Sequence, residues 1–167
     1  MVDWRDRLTA LVRFGKDLPE PMNCFRARPP TGRSWPRGLP SCPALAEFYA
    51  LCDGGQFFCW DFLPLRRVKA EAAAFRGWPD RPGDRTADMR HLLLAYDPDS
   101  FALLWDSEKD EVIQYKQDAQ SHYPRGTPFA AFVKELFAPE LAADELPDLW
   151  VATLRHLDGL AEPNAAP

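Results

Sequence analysis

Apolar positions along this chain fall either on helical faces, with a period near 3.6 residues, or in short strand-like runs, and the switches between them mark the elements. In "VDWRDRLTALVRFG" (residues 2–15), Trp4, Leu8, Leu11 and Val12 share one helical face, and Gly15 closes the segment. A second helix is predicted over 43–52. Pro43 suits a first helical turn, and Ala44, Leu45, Phe48 and Leu51 form its buried stripe. Gly54 and Gly55 follow as a structural turn, where one glycine is expected to take the left-handed conformation that caps the helix. "QFFCW" (56–60) reads as a strand by its aromatic content, and "RRVKAEAAAFRGW" as a short helix ending near Gly77. "PDRPGD" (79–84) reads as a loop.

The next stretch reads as a meander. "HLLLAY" (91–96), "FALLW" (101–105) and "EVIQYK" (111–116) are strand-like runs separated by "DPDS" and "DSEKD", both rich in turn formers. Connections this short favour antiparallel hairpins over crossovers. "TPFAAFVKELF" returns to the helical period, with Thr127 as the predicted N-cap and Pro128 at the first position. "LPDLWVATLRHLDGL" predicts a last helix with Leu149, Val151, Leu154 and Leu157 buried. The fold class expected is α+β: an antiparallel meander flanked by N-terminal and C-terminal helices. Residues 1–160 form one domain in this reading, and 161–167 a flexible tail.

Residues 17–42 interrupt the pattern. Prolines at 19, 21, 29, 30, 36 and 40 leave little room for a regular element, because each fixes φ and removes a backbone donor. Four arginines make this Pro/Arg-rich loop the most basic segment, and loops this long are often functional.

Composition changes the picture in one respect, the distribution of charge. The net charge is −5, but residues 1–90 hold 15 Lys+Arg against 11 Asp+Glu, whereas residues 91–167 hold 5 against 14. An acidic chain without clustered Lys and Arg is a poor ligand for nucleic acid. Its acidic half is suited to steer a basic protein partner. At 46% hydrophobic the chain is too apolar for disorder, yet no apolar run reaches the roughly 18–20 residues of a membrane helix. Its start lacks a signal-peptide pattern, so a cytoplasmic location and no membrane association are expected.

Candidate chemistry is sparse. Cys24, Cys42, Cys52 and Cys59 lack the short spacing of a zinc site, and disulfides are not expected in the cytoplasm. His91, His122 and His156 are scattered, with His122 in an expected polar loop, and no P-loop, nucleophile elbow or dinucleotide motif occurs. No cofactor, metal or catalytic residue is assigned. A hydrolase site would require at least two of Cys52, Cys59, His91 and His122 to converge. The remaining cluster is acidic: Asp97, Asp99, Asp106, Glu108, Asp110, Glu111 and Asp118. Hairpin tips open to water are expected to leave these carboxylates untuned, which suits a partner-binding patch better than acid–base work. The expected contacts are Asp97, Asp99, Asp106, Glu108, Asp110 and Glu111, with Trp105 and Tyr115 as aromatic anchors.

The order of these motifs resembles the SUKH superfamily, which includes the yeast Smi- and Knr-type cell-wall regulators and many bacterial immunity proteins. Leu39, Pro40, Leu45, Phe48 and Tyr49 match the family's helix before its first strand, and Asp53-Gly54-Gly55 the turn that ends it. "FLPLRRV" (62–68) is similar to its strand-to-helix passage, the strands at 91–116 to its meander, and "TPFAAFVKELF" to its terminal helix. The helix expected at 147–158 lies beyond the family's usual end. The resemblance implies a non-enzymatic immunity protein that binds and neutralises a cognate bacterial toxin. A scaffold or regulatory module using the Pro/Arg loop is the alternative.

Overall fold

The computed structural model describes residues 2–75, 90–99, 101–116, 121–138 and 148–161. Among them are five α-helices: α1 (Trp4–Phe14), α2 (Pro43–Leu51), α3 (Leu65–Phe75), α4 (Phe129–Leu136) and α5 (Asp148–Ala161). Seven strands accompany them: β1 (Arg26–Ala27), β2 (Gly55–Phe57), β3 (Trp60–Phe62), β4 (His91–Tyr96), β5 (Phe101–Asp106), β6 (Glu111–Lys116) and β7 (Ser121–Thr127). The strands form one antiparallel sheet in the order of the sequence, each pairing with the next. The protein is therefore α+β, with an antiparallel meander flanked by helices from both ends of the chain.

Both sheet edges are blunted. β1 is two residues long, and β7 carries Pro124, which cannot donate to a further ladder. The central strands are buried without interruption: Leu92 to Ala95 and Ala102 to Asp106 are all inaccessible. Burial at successive positions, rather than alternate ones, means that both faces of the sheet are covered there. α3 packs along β4. Phe48 of α2 is the hub of the aromatic core, with ring centroids 5.9 Å from Phe57, 5.1 Å from Phe62 and 6.0 Å from Phe129. The cluster continues through Phe137 to Trp150 of α5, and from Trp150 to Phe25 at 4.8 Å. α5 is thus built into the core, burying Trp150, Leu154 and Leu157 completely.

Several local expectations are corrected. The strand expected at 56–60 is a hairpin, β2 and β3, turning at Phe58 and Cys59, with Phe58 at φ +55°. His122 lies in β7, not in a loop, and pairs opposite Tyr115. Thr127 ends that strand, so the N-cap of α4 is Pro128. The Pro/Arg segment does hold a regular element: β1 pairs with β2 at Arg26↔Gln56 and Ala27↔Gly55. The loop expected at 79–84 lies outside the described residues, and so does the expected end of α3 near Gly77.

The glycine pair serves close packing. α2 ends at Cys52, whose extended backbone donates its N–H to the Phe48 carbonyl at 3.0 Å. Gly54 (φ +75°) and Gly55 (φ +145°) come afterwards, where the chain threads between β1 and β3. A Cβ on Gly54 would stand 2.4 Å from the Phe62 carbonyl oxygen, and one on Gly55 2.1 Å from that of Arg26. Only glycine meets both the dihedral and the spacing.

Candidate functional site

Consecutive hairpins of a meander turn at opposite ends of the sheet, which divides the acidic cluster. Asp97 and Asp99 belong to the β4–β5 turn, whereas Asp106, Glu108, Asp110 and Glu111 surround the β5–β6 turn. A six-residue antiparallel strand at about 3.4 Å per residue holds the two groups roughly 17 Å apart. The single patch expected from the sequence is therefore two sites.

At each end some carboxylates are consumed by the backbone. Asp97 accepts from the N–H of Asp99 at 2.8 Å and of Phe101 at 2.9 Å, which closes its turn. Asp106 is 1% exposed. It accepts from the backbone of Glu108 (3.0 Å) and Lys109 (3.3 Å), and the Arg90 guanidinium grips both its oxygens at 2.6–3.0 Å. His91 Nε2 stands 3.5 Å away. Burial pushes the Asp106 carboxyl up. The Arg90 bonds and the two backbone donors outweigh that and hold it below the usual aspartate value. Asp110, at φ +48°, accepts from Trp105 Nε1 at 2.8 Å and from the Phe129 N–H at 3.4 Å. It thereby joins the hairpin to the first turn of α4.

At Asp106 these contacts correct the expectation of an untuned, solvated acid. They also correct the aromatic anchors: Trp105 is 2% exposed and Tyr115 1%, so as folded here neither presents surface to a partner. Asp106 is withdrawn in the same way. What remains outward is Asp99, beside half-buried Asp97, at one end, and Glu108, beside half-buried Asp110 and Glu111, at the other. The Glu108 side chain is 65% exposed, with one oxygen 3.0 Å from Arg90. Glu111 pairs opposite Asp106 across the ladder. The β5–β6 end thus carries more carboxylates, four against two, with the cations Arg90 and Lys109 among them.

Of the remaining candidates, Cys52 and His91 are buried, Cys59 is half-buried, and Cys24 and His156 are exposed. All four cysteines are free. Cys52 is buried, and desolvation raises its thiol to about 12, which disfavours the thiolate a nucleophile needs. Cys42 is half-buried at the start of α2, where burial and then the Asp110 charge push its thiol up. Among the described residues no group of three or more His, Cys, Asp or Glu is placed to hold a metal ion, and no helix is long and apolar enough to cross a membrane. Asp118 lies outside the described residues. The Pro/Arg segment is tied down: Arg28 donates to the Phe62 carbonyl (2.7 Å) and to Asp61 (3.0 Å), and Trp35 to the Leu39 carbonyl (3.2 Å).

One polar network was not foreseen. Arg7 of α1 is 4% exposed, clamps both oxygens of Asp158 at 2.7 and 2.9 Å, and donates to the Phe137 carbonyl at 2.6 Å. Trp150 Nε1 donates to the neighbouring Leu136 carbonyl at 2.7 Å. Two of the open carbonyls at the end of α4 are thereby satisfied from α1 and α5. Arg7 precedes Leu8 on the buried face of α1, and that adjacency was its only sequence signal. No family model, characterised protein or solved structure matches this chain.

Proposed function

We propose that this protein is a non-enzymatic immunity protein that binds and neutralises a cognate bacterial toxin with a basic surface. The observation that carries the reading is the pair of glutamates at the β5–β6 end, exposed Glu108 and half-buried Glu111, standing on a hairpin braced by Asp106, Asp110 and Arg90. Fixed charges on a stiff hairpin suit recognition, because little ordering cost is left for binding. The motif order resembling the SUKH superfamily supports the same role. In this reading Trp105 and Tyr115 hold the hairpin from within, and the contacts are made by the acids and the turn backbone.

The test is capture of partners from the native lysate with the tagged protein, comparing wild type with Glu108→Lys/Glu111→Lys. The proposal expects one stoichiometric partner carrying a toxin domain, released by moderate salt and missed by the double variant. Capture of the same partner by both proteins would remove the acidic end from the mechanism. A housekeeping complex in place of a toxin would remove the immunity role.

A further inference from the structure

Away from the acidic hairpins, a small cleft of about 100 Å³ opens among Thr31, Arg33, Asp53 and Arg66. Three separate parts of the chain build it. Thr31 and Arg33 come from the Pro/Arg segment, Asp53 from the link between α2 and β2, and Arg66 from the first turn of α3. The link is held in place by paired backbone bonds, from Asp53 N–H to the Arg28 carbonyl and from Arg28 N–H to the Gly54 carbonyl, both 2.9 Å. The cleft is therefore anchored to the sheet by the same backbone that requires Gly54.

Its charge is unbalanced. Arginine stays protonated in proteins, so the cleft holds two fixed cations. Among the described residues neither Arg33 nor Arg66 has an ion-pair or hydrogen-bond partner, unlike Arg5, Arg7, Arg28, Arg67 and Arg90. The one carboxylate present, Asp53, is committed elsewhere: its Oδ1 accepts the Leu65 N–H at 2.8 Å and fixes the start of α3. Two unpaired guanidinium groups beside a hydroxyl form a donor set that matches a tetrahedral oxyanion. The cleft is open and roomy enough for one phosphate group.

We propose that this cleft binds a single phosphoryl group, with Arg33 and Arg66 as the charged donors, Thr31 as a neutral one, and Asp53 as the group that limits affinity. The site is independent of the acidic hairpin and of any toxin.

Titration of the full chain in low-salt buffer with inorganic phosphate, and separately with O-phosphoserine, tests this by calorimetry or amide shifts. Low salt matters because the cleft is open and its field is screened. Saturable binding is expected for wild type. Arg33→Ala and Arg66→Ala each weaken it roughly tenfold or more, since a charge-assisted bond is lost. Both arginines are exposed and unpaired, so these variants keep the wild-type fold by circular dichroism. Asp53→Asn keeps an acceptor for Leu65 N–H, removes the opposing charge and tightens binding. Phosphoserine binding weakens below about pH 6 as its second proton returns. Tighter binding of phosphoserine than of phosphate identifies a phosphoryl group carried on a larger molecule, and the reverse a free ion. Absence of saturable binding, or binding indifferent to both arginine variants, overturns the proposal.

Discussion

The two ends of the sheet carry acidic turns of similar composition and use them differently. At the β4–β5 end, Asp97 folds back on two backbone N–H groups and only Asp99 is left outward. At the β5–β6 end, Asp106 is drawn inside by Arg90 and two turn amides, and Asp110 by Trp105 and the start of α4. Glu108 then projects from a hairpin held on both sides, with Glu111 half-buried beside it. The number of acids in a turn therefore says little about the charge that turn displays. Backbone donors and a nearby arginine claim Asp97 and Asp106, and Asp99 and Glu108 are left to face water.

The effects that probe this contrast range from several kcal/mol to almost none. The scale is set away from both ends, by Arg7. Arg7→Ala strands the Asp158 carboxylate and the Phe137 carbonyl beneath α1, and should lower unfolding free energy by about 3–5 kcal/mol in urea. Asp106→Ala comes next, at roughly 2–3 kcal/mol, because it removes charge-assisted bonds to Arg90 and two turn amides. A loss below about 0.5 kcal/mol would place Asp106 with the solvated acids and erase the difference between the ends. Asp110→Ala should cost about 1–2 kcal/mol by freeing Trp105 Nε1 and the Phe129 amide, with a change in tryptophan fluorescence. Asp110→Asn keeps the acceptor and should cost less. Glu108→Gln, Glu111→Gln and Asp99→Asn should each stay within about 0.5 kcal/mol of wild type.

Acidity offers a second probe of the contrast. The Asp106 carboxyl is held below its usual value, so its stabilisation is fully present above the unfolded aspartate value near 3.9 and is lost as pH falls through the lower folded value. The gap in stability between wild type and Asp106→Asn should therefore be constant above about pH 5 and close below about pH 4. A gap that does not change with pH would mean that Asp106 acts through shape alone.

Long periodic runs made most of this architecture legible in the sequence. α1, α2 and α4 follow the helical period, β4 to β6 are short apolar runs, and the turns between those strands are polar and short. β7 was not legible, because "SHYPRGT" has no strand pattern of its own and is extended by pairing with β6. The β2–β3 hairpin was hidden for a related reason. Its turn uses Phe58 at positive φ where a glycine or asparagine is the usual signal. At the candidate site, the identity of the acids was readable but their direction was not. Arg90 lies 16 positions before Asp106, and Arg7 lies 151 before Asp158, so both pairings depend on the finished fold. Trp105 and Tyr115 resemble interface anchors by residue type, and the same ring area makes them core.

The most direct test of the account is affinity for the captured toxin measured with charge reversals at each end in turn. Glu108→Lys/Glu111→Lys should weaken binding at least tenfold at unchanged stability, while Asp99→Lys at the opposite end should leave affinity and its salt dependence as they are. Equal weakening from both ends, or none from either, would contradict a docking surface at the β5–β6 hairpin.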